Sequence, residues 1–500
     1  MQHKFHAFLV CVTGIFVTVF DTSSSIVALP TIALELATDL PTAQWVILGN
    51  SLTIAALLVP LGRLSDSIGR KRIYVFGCCL FSIGAVLAAV SAGIHWLIGA
   101  RVLVGIGSAM TQSTAMAIMV GNYGAHERAR MLGWQMTGVG LGAIVGPATG
   151  GLIVGTVGWR ALFAMTAVAM IAIAIAGQLV LEHRGRRERL DASYDVTGAL
   201  LFSCLLVTAL LALTLGPRYG WTEPRALVNY ALVVVLGAAF VAAERRSNAP
   251  LIDVSLFRAG AFAVGALGSV VAFMGVSATR FLAPFFFQAV KGIDPSRVGL
   301  LMMPAAVVTA VAGPFVGRFA DRFGVRLFAN VGIAISMLGL VQFYLLEVTS
   351  PVWLVVTALM TMALGLSTFS APNSTSMLNA VDARSHGFAS GFVNLCRNTG
   401  NVIGIAFGTA FVTLTMANAG YPPSLDRVGP RADQGLLAAF TEGFSRAAAA
   451  LLLLTFAVLV VLLTWTWRRR RSMDAASATP SASPPRAAPS ADGRASGPGS

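Results

Sequence analysis

The sequence predicts an all-α polytopic membrane protein of two six-helix bundles, related by pseudo-two-fold symmetry, plus two inserted helices. Three observations predict this fold. Only 11% of the 500 residues are charged and 56% are hydrophobic, whereas a soluble protein has about 25% charged residues. Apolar runs of about 20 residues recur along the chain, and each is long enough to cross a ~30 Å hydrocarbon core. One short charged motif occurs twice.

The repeated motif reads G-R-x-x-D-x-x-G-x-[KR]. Its first copy starts at Gly62 and its second at Gly317, an offset of 317 − 62 = 255 residues. Each copy connects two apolar runs, so each reads as a charged hairpin loop between two membrane spans. A hairpin repeated at this distance indicates two related halves with parallel topology, an arrangement that is typical of secondary transporters.

Fourteen apolar runs are predicted to span the membrane, and the loops between them differ in charge. Most basic residues fall on one side, including the 63–72 loop, the linker 183–189 and the cluster 468–471. The positive-inside rule therefore predicts that this side and both termini lie in the cytoplasm, with the protein in the cytoplasmic (inner) membrane. The predicted spans are 7–30, 43–61, 73–93, 96–121, 133–157, 161–181, 195–216, 226–244, 260–289, 297–316, 327–347, 351–378, 386–417 and 443–467.

The repeat offset also predicts the domain organisation. Each half takes six helices, which leaves spans 195–216 and 226–244 as an insertion between the halves. The expected units are a first bundle over 1–181, a linker with the two inserted helices over 182–259, a second bundle over 260–467, and a disordered, Ala/Ser/Pro-rich cytoplasmic tail over 468–500.

Composition and motifs argue against several other functions. The net charge of +14 lies in short loops between spans, which is a topogenic pattern and not a nucleic-acid-binding stripe. The five cysteines lie in apolar segments without metal-ligand spacing, so we expect packing residues, no metal and no cofactor. No G-x-x-x-x-G-K-[ST] loop is present for ATP. No Ser–His pair stands out, so an enzyme is not expected.

A carboxylate interrupts the first span. Asp21 lies well inside the apolar run 7–30, where a charged side chain costs about 2.5–3.5 kcal/mol on insertion scales. A carboxylate avoids this cost by binding a proton, because burial disfavours its charged form. Capture of a proton on one side of a membrane and its release on the other is what proton coupling requires. The alternative is an Asp that only hydrogen-bonds Ser or Thr neighbours and fixes packing.

A basic residue stands inside the fourth span. Arg101 cannot neutralise itself by losing a proton, so it needs a cavity, a carboxylate partner or water. We expect it to relay or tune the protonation of Asp21. The alternative is an arginine that extends its charged group to the membrane interface.

The fifth span is rich in glycine. Gly138, Gly142, Gly146 and Gly150 are spaced four apart and form one smooth helix face, with Gly151 beside it. Pro147 is expected to kink the helix. A smooth, bent contact between two moving halves suits a gate, and plain packing of small residues is the alternative.

The repeated loops carry candidate residues for the conformational change. A carboxylate in such a loop can meet a helix N-terminus, basic side chains can pair with it or with lipid phosphate, and glycine permits a tight turn. The alternative is a basic loop that only sets topology. The candidates are Gly62, Arg63, Asp66, Gly69, Arg70 and Asp321.

Several motifs, in this order, resemble the major facilitator superfamily, and specifically its fourteen-span drug–proton antiporters. The resemblance covers the chain to about residue 467. The matching stretches are Asp21 with Ala28-Leu29-Pro30, Trp45, the 62–72 loop, Arg101 with Gly105-x-Gly107, Gly146-Pro147-x-x-Gly150-Gly151, Trp159-Arg160, Pro250-Leu251-Ile252-Asp253, Leu256-Phe257-Arg258, Phe287-Gln288 and Gly387-x-x-Ser390-Gly391 through Asn394 and Arg397 to Gly400.

The resemblance implies exchange of a substrate for protons as two six-helix bundles rock about a central cavity. It implies that Asp66 latches its hairpin against the other half in the outward-facing state, and that the Gly-Pro helix favours export. The chain departs from the family pattern at Asn50, where a Tyr is usual, and at Val104, where a Gln is usual. Both departures affect the chemistry of the cavity more than the fold.

Five polar residues are candidates for the substrate cavity. Arg280 and Arg397 lie inside spans of the second half, where no acidic residue stands at mid-depth. They could pair with Asp21 across the cavity, or they could attract an anionic substrate. The five candidates are Asn50, Arg280, Gln288, Asn394 and Arg397.

The sequence therefore predicts a proton-coupled antiporter that exports amphipathic small molecules, such as drugs or antibiotics. Its expected partners are a small-molecule substrate, protons and the lipid bilayer, without nucleic acid, and it is expected to act as a monomer. A dedicated metabolite exporter or an uptake symporter of the same superfamily is the alternative. A non-transporting membrane sensor or scaffold is the alternative from another class.

Overall fold

The computed structural model describes residues 2–122, 125–181, 196–219, 223–246, 260–381, 386–421 and 433–478, and the regular elements in these ranges are helices. Thirteen of the described helical stretches are long and apolar enough to cross a membrane, and Thr197–Ala212 is a shorter apolar helix. This agrees with the fourteen predicted spans.

The helices are numbered in chain order. They are α1 (Gln2–Glu35), α2 (Leu40–Ala43), α3 (Trp45–Ile68), α4 (Arg70–Ala89), α5 (Ile94–Asn122), α6 (Ala125–Thr156), α7 (Trp159–Val180), α8 (Val196–Tyr219), α9 (Pro224–Arg246), α10 (Gly260–Phe285), a π-helical turn (Phe286–Val290), α11 (Pro295–Phe323), α12 (Val325–Tyr344), α13 (Val352–Leu378), α14 (His386–Asn418) and α15 (Gln434–Ala478). Helix α15 continues into the segment that was expected to be a disordered tail, and residues 479–500 lie outside the described ranges.

The two copies of the charged motif adopt the same turn. Gly69 has φ 113° and ψ 124° between α3 and α4, and Gly324 has φ 100° and ψ 129° between α11 and α12. A side chain at such positive φ is strained, which explains the glycine in both copies. We call the end of the bundle with these two turns the turn end, and the opposite end the far end.

Glycines also give the two halves the same close helix packing. Gly107 of α5 lies against the backbone of Gly77 and Phe81 in α4, and Gly365 of α13 lies against Gly332 and Ser336 in α12. A Cβ at either of the α5 or α13 glycines would overlap those backbones. The arrangement of turns and closely packed helices in the first half, which we call the frame, is therefore repeated in the second.

Hydrophobic packing joins the halves most extensively at the far end. One core there contains Ile32 of α1 together with Phe286 of the π-helical turn. Towards the turn end, separate cores surround Tyr74 in the first half and Met377 in the second. A further small cluster brings Leu395 of α14 against α3, α8 and α9.

The inserted helices lie on one side of this frame. Helix α8 packs against α3 and α14, and α9 packs on α8. Ser203 of α8 donates a hydrogen bond to the carbonyl of Ala56 in α3 over 2.8 Å. Val228 and Val234 on α9 are 69% and 70% exposed, as expected for a face that meets lipid.

Candidate functional site

The structure brings together the two charged residues inside the first half. Nη1 of Arg101 on α5 donates to Oδ2 of Asp21 on α1 over 2.7 Å, and both side chains are completely buried. Nε of Arg101 donates to the carbonyl of Val46 over 3.2 Å. Each charge compensates the other, which reduces the cost of holding both inside a membrane.

Helix α7 supplies two further contacts to this ion pair. The hydroxyl of Thr166 donates to Oδ1 of Asp21 over 3.5 Å. The guanidinium carbon of Arg101 lies 5.3 Å from the ring centre of Phe163, within the range of a cation–π contact. Phe163 and Thr166 are three residues apart and so share one face of α7.

Three buried polar atoms near the ion pair have no hydrogen-bond partner among the described residues. They are Nη2 of Arg101, Oγ of Ser25 and Oδ1 of Asn50. Nδ2 of Asn50 donates to Oγ1 of Thr22 over 3.3 Å, which places Asn50 one residue from Asp21 along α1. Unpaired buried polar groups are costly, so these three atoms are suited to bind a water molecule or a polar group of a substrate.

The exposure of α1 changes just beyond these atoms. On α1, the partly exposed side chains Val12, Phe16, Val19 and Thr22 recur at helical spacing, and residues 23–30 are all buried. The accessible stripe of α1 therefore runs from the turn end to the level of Thr22 and stops there.

Helix α10 repeats this pattern in the second half. Its accessible stripe includes Val270, Phe273, Ser277 and Arg280, and residues 281–287 are buried. Ser277 stands 255 residues after Thr22, the offset of the repeated turn. Both first helices are thus partly exposed towards the turn end, where the hydrophobic cores of the halves are separate, and buried towards the far end, where one core joins them. We call the space between the halves at the turn end the cleft.

A polar clamp bridges the halves at the closed end. Nε2 of Gln288 donates to the carbonyl of Val27 over 3.0 Å, and the hydroxyl of Thr31 donates to Oε1 of Gln288 over 3.1 Å. Gln288 lies in the π-helical turn at the end of α10. The sequence placed Gln288 in the substrate cavity, whereas its contacts here are with α1.

The glycines of α6 divide their contacts between the two halves. Gly142, Gly146 and Gly150 pack on the backbone of α1 within the first half, at residues that include Phe16 and Ser24. The contact between the halves that the sequence predicted is therefore not made by these three glycines. The four-residue spacing identifies a smooth helix face and does not reveal which neighbour covers it.

Contact with the second half comes from the neighbouring face of α6, which carries Gly151. Gly151 lies against the backbone of Gly299 in α11, and Gly299 in turn faces the carbonyl of Pro147. These contacts stand near the far end and help to close it. The sequence did not single out this contact, because Gly299 and Gly313, the two glycines of the apolar run 297–316, form no spaced motif.

The two arginines of the second half remain apart from the ion pair. Arg280 and Arg397 are partly exposed, and neither side chain makes a hydrogen bond or an ion pair within the described part of the chain. Asp21 pairs with Arg101 and not with either of them. Asn394 stands three residues before Arg397 on α14 and is also partly exposed.

For the two repeated loops, the structure describes the backbone and only some of the side chains. The side chains of Arg63, Asp66 and Asp321 lie outside the described part of the structure, so their predicted latch stays a prediction. Arg70 is exposed at the start of α4, and the nearest neighbour of Gly62 is Ser113 on α5.

A family comparison agrees with this architecture. The sequence profile of the Major Facilitator Superfamily matches residues 11–405 and, in a second match, residues 265–491. The chain belongs to the major facilitator superfamily. It is a transporter-family protein and not an enzyme, as the sequence predicted.

Individual relatives in this superfamily carry names of efflux and transport proteins. The multidrug resistance protein Stp of Mycobacterium tuberculosis is 31% identical over 418 residues, which are 83% of this chain and 77% of that protein. The methylenomycin A resistance protein of Streptomyces coelicolor is 27% identical, over 79% of this chain and 82% of that protein. The riboflavin transporter RibZ of Clostridioides difficile is 27% identical, over 82% and 89%.

Solved structures of the superfamily share the fold. A bacterial homologue of the human lysosomal transporter Spinster, in an inward-facing and unoccupied conformation, superposes with a TM-score of 0.67 at 18% identity. The match covers 92% of this chain and 96% of that chain. Among the described residues of this superfamily member, no group of three or more His, Cys, Asp or Glu side chains could hold a metal ion.

The structure also shows a polar cluster at the far end that the sequence did not predict. Nε1 of Trp159 donates to Oε2 of Glu35 over 2.7 Å, and Arg160 forms an ion pair with the same carboxylate. Arg160 also donates to the carbonyl of Ser91 over 3.2 Å. This cluster ties the ends of α1, α4 and α7 together within the first half.

Proposed function

We propose that the protein is a proton-coupled antiporter that exports amphipathic small molecules across the cytoplasmic membrane by alternating access. The observation that carries the proposal is the buried ion pair of Asp21 and Arg101, at the inner limit of the cleft. Asp21 supplies the carboxylate at that depth on which the proposed proton exchange depends. The efflux proteins among the relatives support export of drugs or antibiotics.

Protonation of Asp21 changes the forces within the first half. A neutral carboxyl group no longer neutralises Arg101, so the charge-assisted hydrogen bond weakens. Arg101 then relies on the carbonyl of Val46 and the ring of Phe163, which already contact it. We propose that this loss shifts the balance between the two conformations of the bundles.

The turn end is proposed to face the cytoplasm. The positive-inside rule places the loops with Gly69 and Gly324 there, and both halves present their accessible stripes from that end. The conformation is then inward-facing, with the far end sealed by the Gln288 clamp and the contact of Gly151 with Gly299. Asp66 is proposed to hold its hairpin against the other half only in the outward-facing state.

A dedicated exporter or importer of one metabolite is the second candidate. The riboflavin transporter among the relatives favours it. A single preferred substrate in a broad screen, or flux towards the cytoplasm, would distinguish it from the proposed exporter.

The test uses everted membrane vesicles, whose cytoplasmic face is outside. With an interior-acid gradient, wild-type vesicles are expected to accumulate fluorescent drugs from a panel, and an ionophore is expected to abolish accumulation. Asp21→Asn should remove gradient-driven accumulation, whereas Glu442→Gln, at an exposed carboxylate near the far end, should retain it. Full accumulation by the Asp21→Asn variant would refute the proposed coupling.

A further inference from the structure

The second half carries a charge imbalance that the proposed proton coupling does not use. Within the described parts of helices α10 to α14, Arg280 and Arg397 are the charged residues that stand away from the helix ends and turns. Neither has an acidic partner there. In the first half, by contrast, Asp21 and Arg101 neutralise each other.

Both arginines are placed to meet a molecule in the cleft. Arg280 is the last member of the accessible stripe of α10, immediately before the buried residues 281–287. Gln288, eight residues further on in the π-helical turn that follows α10, contacts α1 of the other half, so the chain beyond Arg280 lies against the first half at the far end. Arg280 thus stands at the inner limit of the cleft.

Arg397 stands closer to the turn end, on a helix that packs along α10. Gly400 and Gly404 of α14 lie against the backbone of Val270 and Met274 in α10, and the two helices run in the same direction. Arg397 comes three residues before Gly400 and therefore lies closer to the turn end than Val270. Arg280 comes ten residues after Val270 and lies closer to the far end. The two cations therefore stand at two depths along one side of the cleft.

A cation inside a membrane needs water or an anion, since arginine cannot lose its proton. We propose that Arg280 and Arg397 form an anion-recognition path, and that the preferred substrates are amphipathic anions such as carboxylates or sulfonates. Arg397 receives the anionic group near the mouth of the cleft, and Arg280 holds it at the closed end. This substrate class rests on the proposed transport function.

Transport of an anion has an electrical consequence that a cationic substrate would not produce. Export of one monoanion in exchange for one inward proton moves two positive charges inward in each cycle. Transport of the anion is therefore expected to rise steeply with an interior-negative potential. Exchange of a monovalent cation for one proton would be electrically silent.

The test compares three matched probes that differ in charge: dansylglycine, its neutral methyl ester and cationic dansyl-ethylenediamine. Their affinities for the purified full-length protein are measured by fluorescence titration, which requires no transport. We expect dansylglycine to bind at least tenfold more tightly than the ester, since the ester offers arginine only a neutral acceptor in place of a carboxylate. Equal affinities, or tightest binding of the cation, would overturn the proposal.

Substitutions then assign the preference to the two arginines. Arg280→Gln and Arg397→Gln are each expected to reduce dansylglycine affinity about tenfold or more and to leave ester affinity within twofold. Arg280→Lys should retain part of the preference, and Arg446→Gln, at an exposed arginine near the far end, should retain all of it. A preference that survives in the Arg280→Gln/Arg397→Gln variant would contradict the proposal.

Two further readouts separate a recognition role from a structural one. If Arg280 has no partner in the protein, Arg280→Gln should leave the melting temperature unchanged or raise it, and a clear fall would assign Arg280 to structure. Proteoliposomes test transport separately with dansylglycine under an imposed pH gradient and potential. Selective binding of dansylglycine without gradient-driven transport would refute the proposed export and support the anion site. Gradient-driven transport without selectivity for the anion would support the export and refute the anion site.

Discussion

The two halves of the protein share a frame and differ in the charges they place inside it. Gly69 and Gly324 make the same turn, and Gly107 and Gly365 make the same close contact between neighbouring helices. The positions of these last two glycines differ by 365 − 107 = 258 residues. On that offset, the residue that matches Arg101 is the buried Leu359.

This difference between the halves separates the frame from the function. Backbone turns and glycine contacts recur because both halves must pack and move alike. Asp21 also lacks a counterpart, since the residue 255 positions later is Val276. The first half holds a neutral ion pair, and the second holds two arginines without partners among the described residues. Proton coupling and substrate recognition are accordingly proposed to reside in different halves.

The largest expected contrast is in stability. Arg101→Gln leaves the buried Asp21 uncompensated and is expected to cost about 3–5 kcal/mol of unfolding free energy. Arg397→Gln removes a cation without a partner and should cost nothing. Thermal unfolding of the purified variants measures both, with Asp21→Asn/Arg101→Gln expected to recover most of the loss. Similar losses for Arg101→Gln and Arg397→Gln would erase the contrast between the halves.

A second contrast tests how the halves meet at the far end. A side chain at Gly299 would collide with the backbone of Pro147, whereas a Cβ added at Gly313 on the same helix would have no atom within 4 Å. Gly299→Val is therefore expected to prevent closure and to reduce transport more than tenfold. Gly313→Val should transport normally, and equal activity of the two variants would show that this contact does not matter.

The shared frame predicts equal effects at matched glycines. Gly107→Ala and Gly365→Ala each force a methyl group against a neighbouring backbone, and each is expected to cost about 1–3 kcal/mol. Chemical or thermal unfolding in detergent can compare them directly. A large loss of stability in one half alone would mean that the two glycine contacts differ in energy although their geometry is the same.

The smallest expected effect concerns the Gln288 clamp. Gln288→Leu removes two hydrogen bonds between the halves, each worth about 0.5–1.5 kcal/mol. The closed far end should therefore open several-fold more often. Labelling of a Ser25→Cys reporter by a membrane-impermeant thiol reagent measures this from outside. Unchanged labelling would indicate that hydrophobic packing alone closes the far end.

Much of the frame could be predicted from local sequence. Apolar length identifies the fourteen spans, and the repeated charged motif identifies the turns at Gly69 and Gly324. The candidate site could be predicted only in part. Asp21 and Arg101 are conspicuous as charges in apolar runs, but they are 80 residues apart and their contact depends on how α1 and α5 pack.

The remaining features depend on helix rotation and neighbours, which one sequence does not determine. Phe163 and Thr166 look like ordinary members of an apolar helix until α7 is placed beside α1 and the ion pair. The partner of a glycine face is equally ambiguous, which is why Gly142 contacts α1 while Gly151 contacts α11. The π-helical turn that directs Gln288 towards α1 gives no signal in the sequence.

The most direct test of coupling separates substrate exchange from proton-driven accumulation in the Asp21→Asn variant. Reconstituted protein is given labelled substrate inside and unlabelled substrate outside, first without and then with a pH gradient. We expect Asp21→Asn to retain exchange, because Arg101 keeps its contacts with the carbonyl of Val46 and the ring of Phe163, and to lose accumulation against a concentration gradient. Accumulation at the wild-type level would contradict the claim that coupling resides in the buried ion pair of the first half.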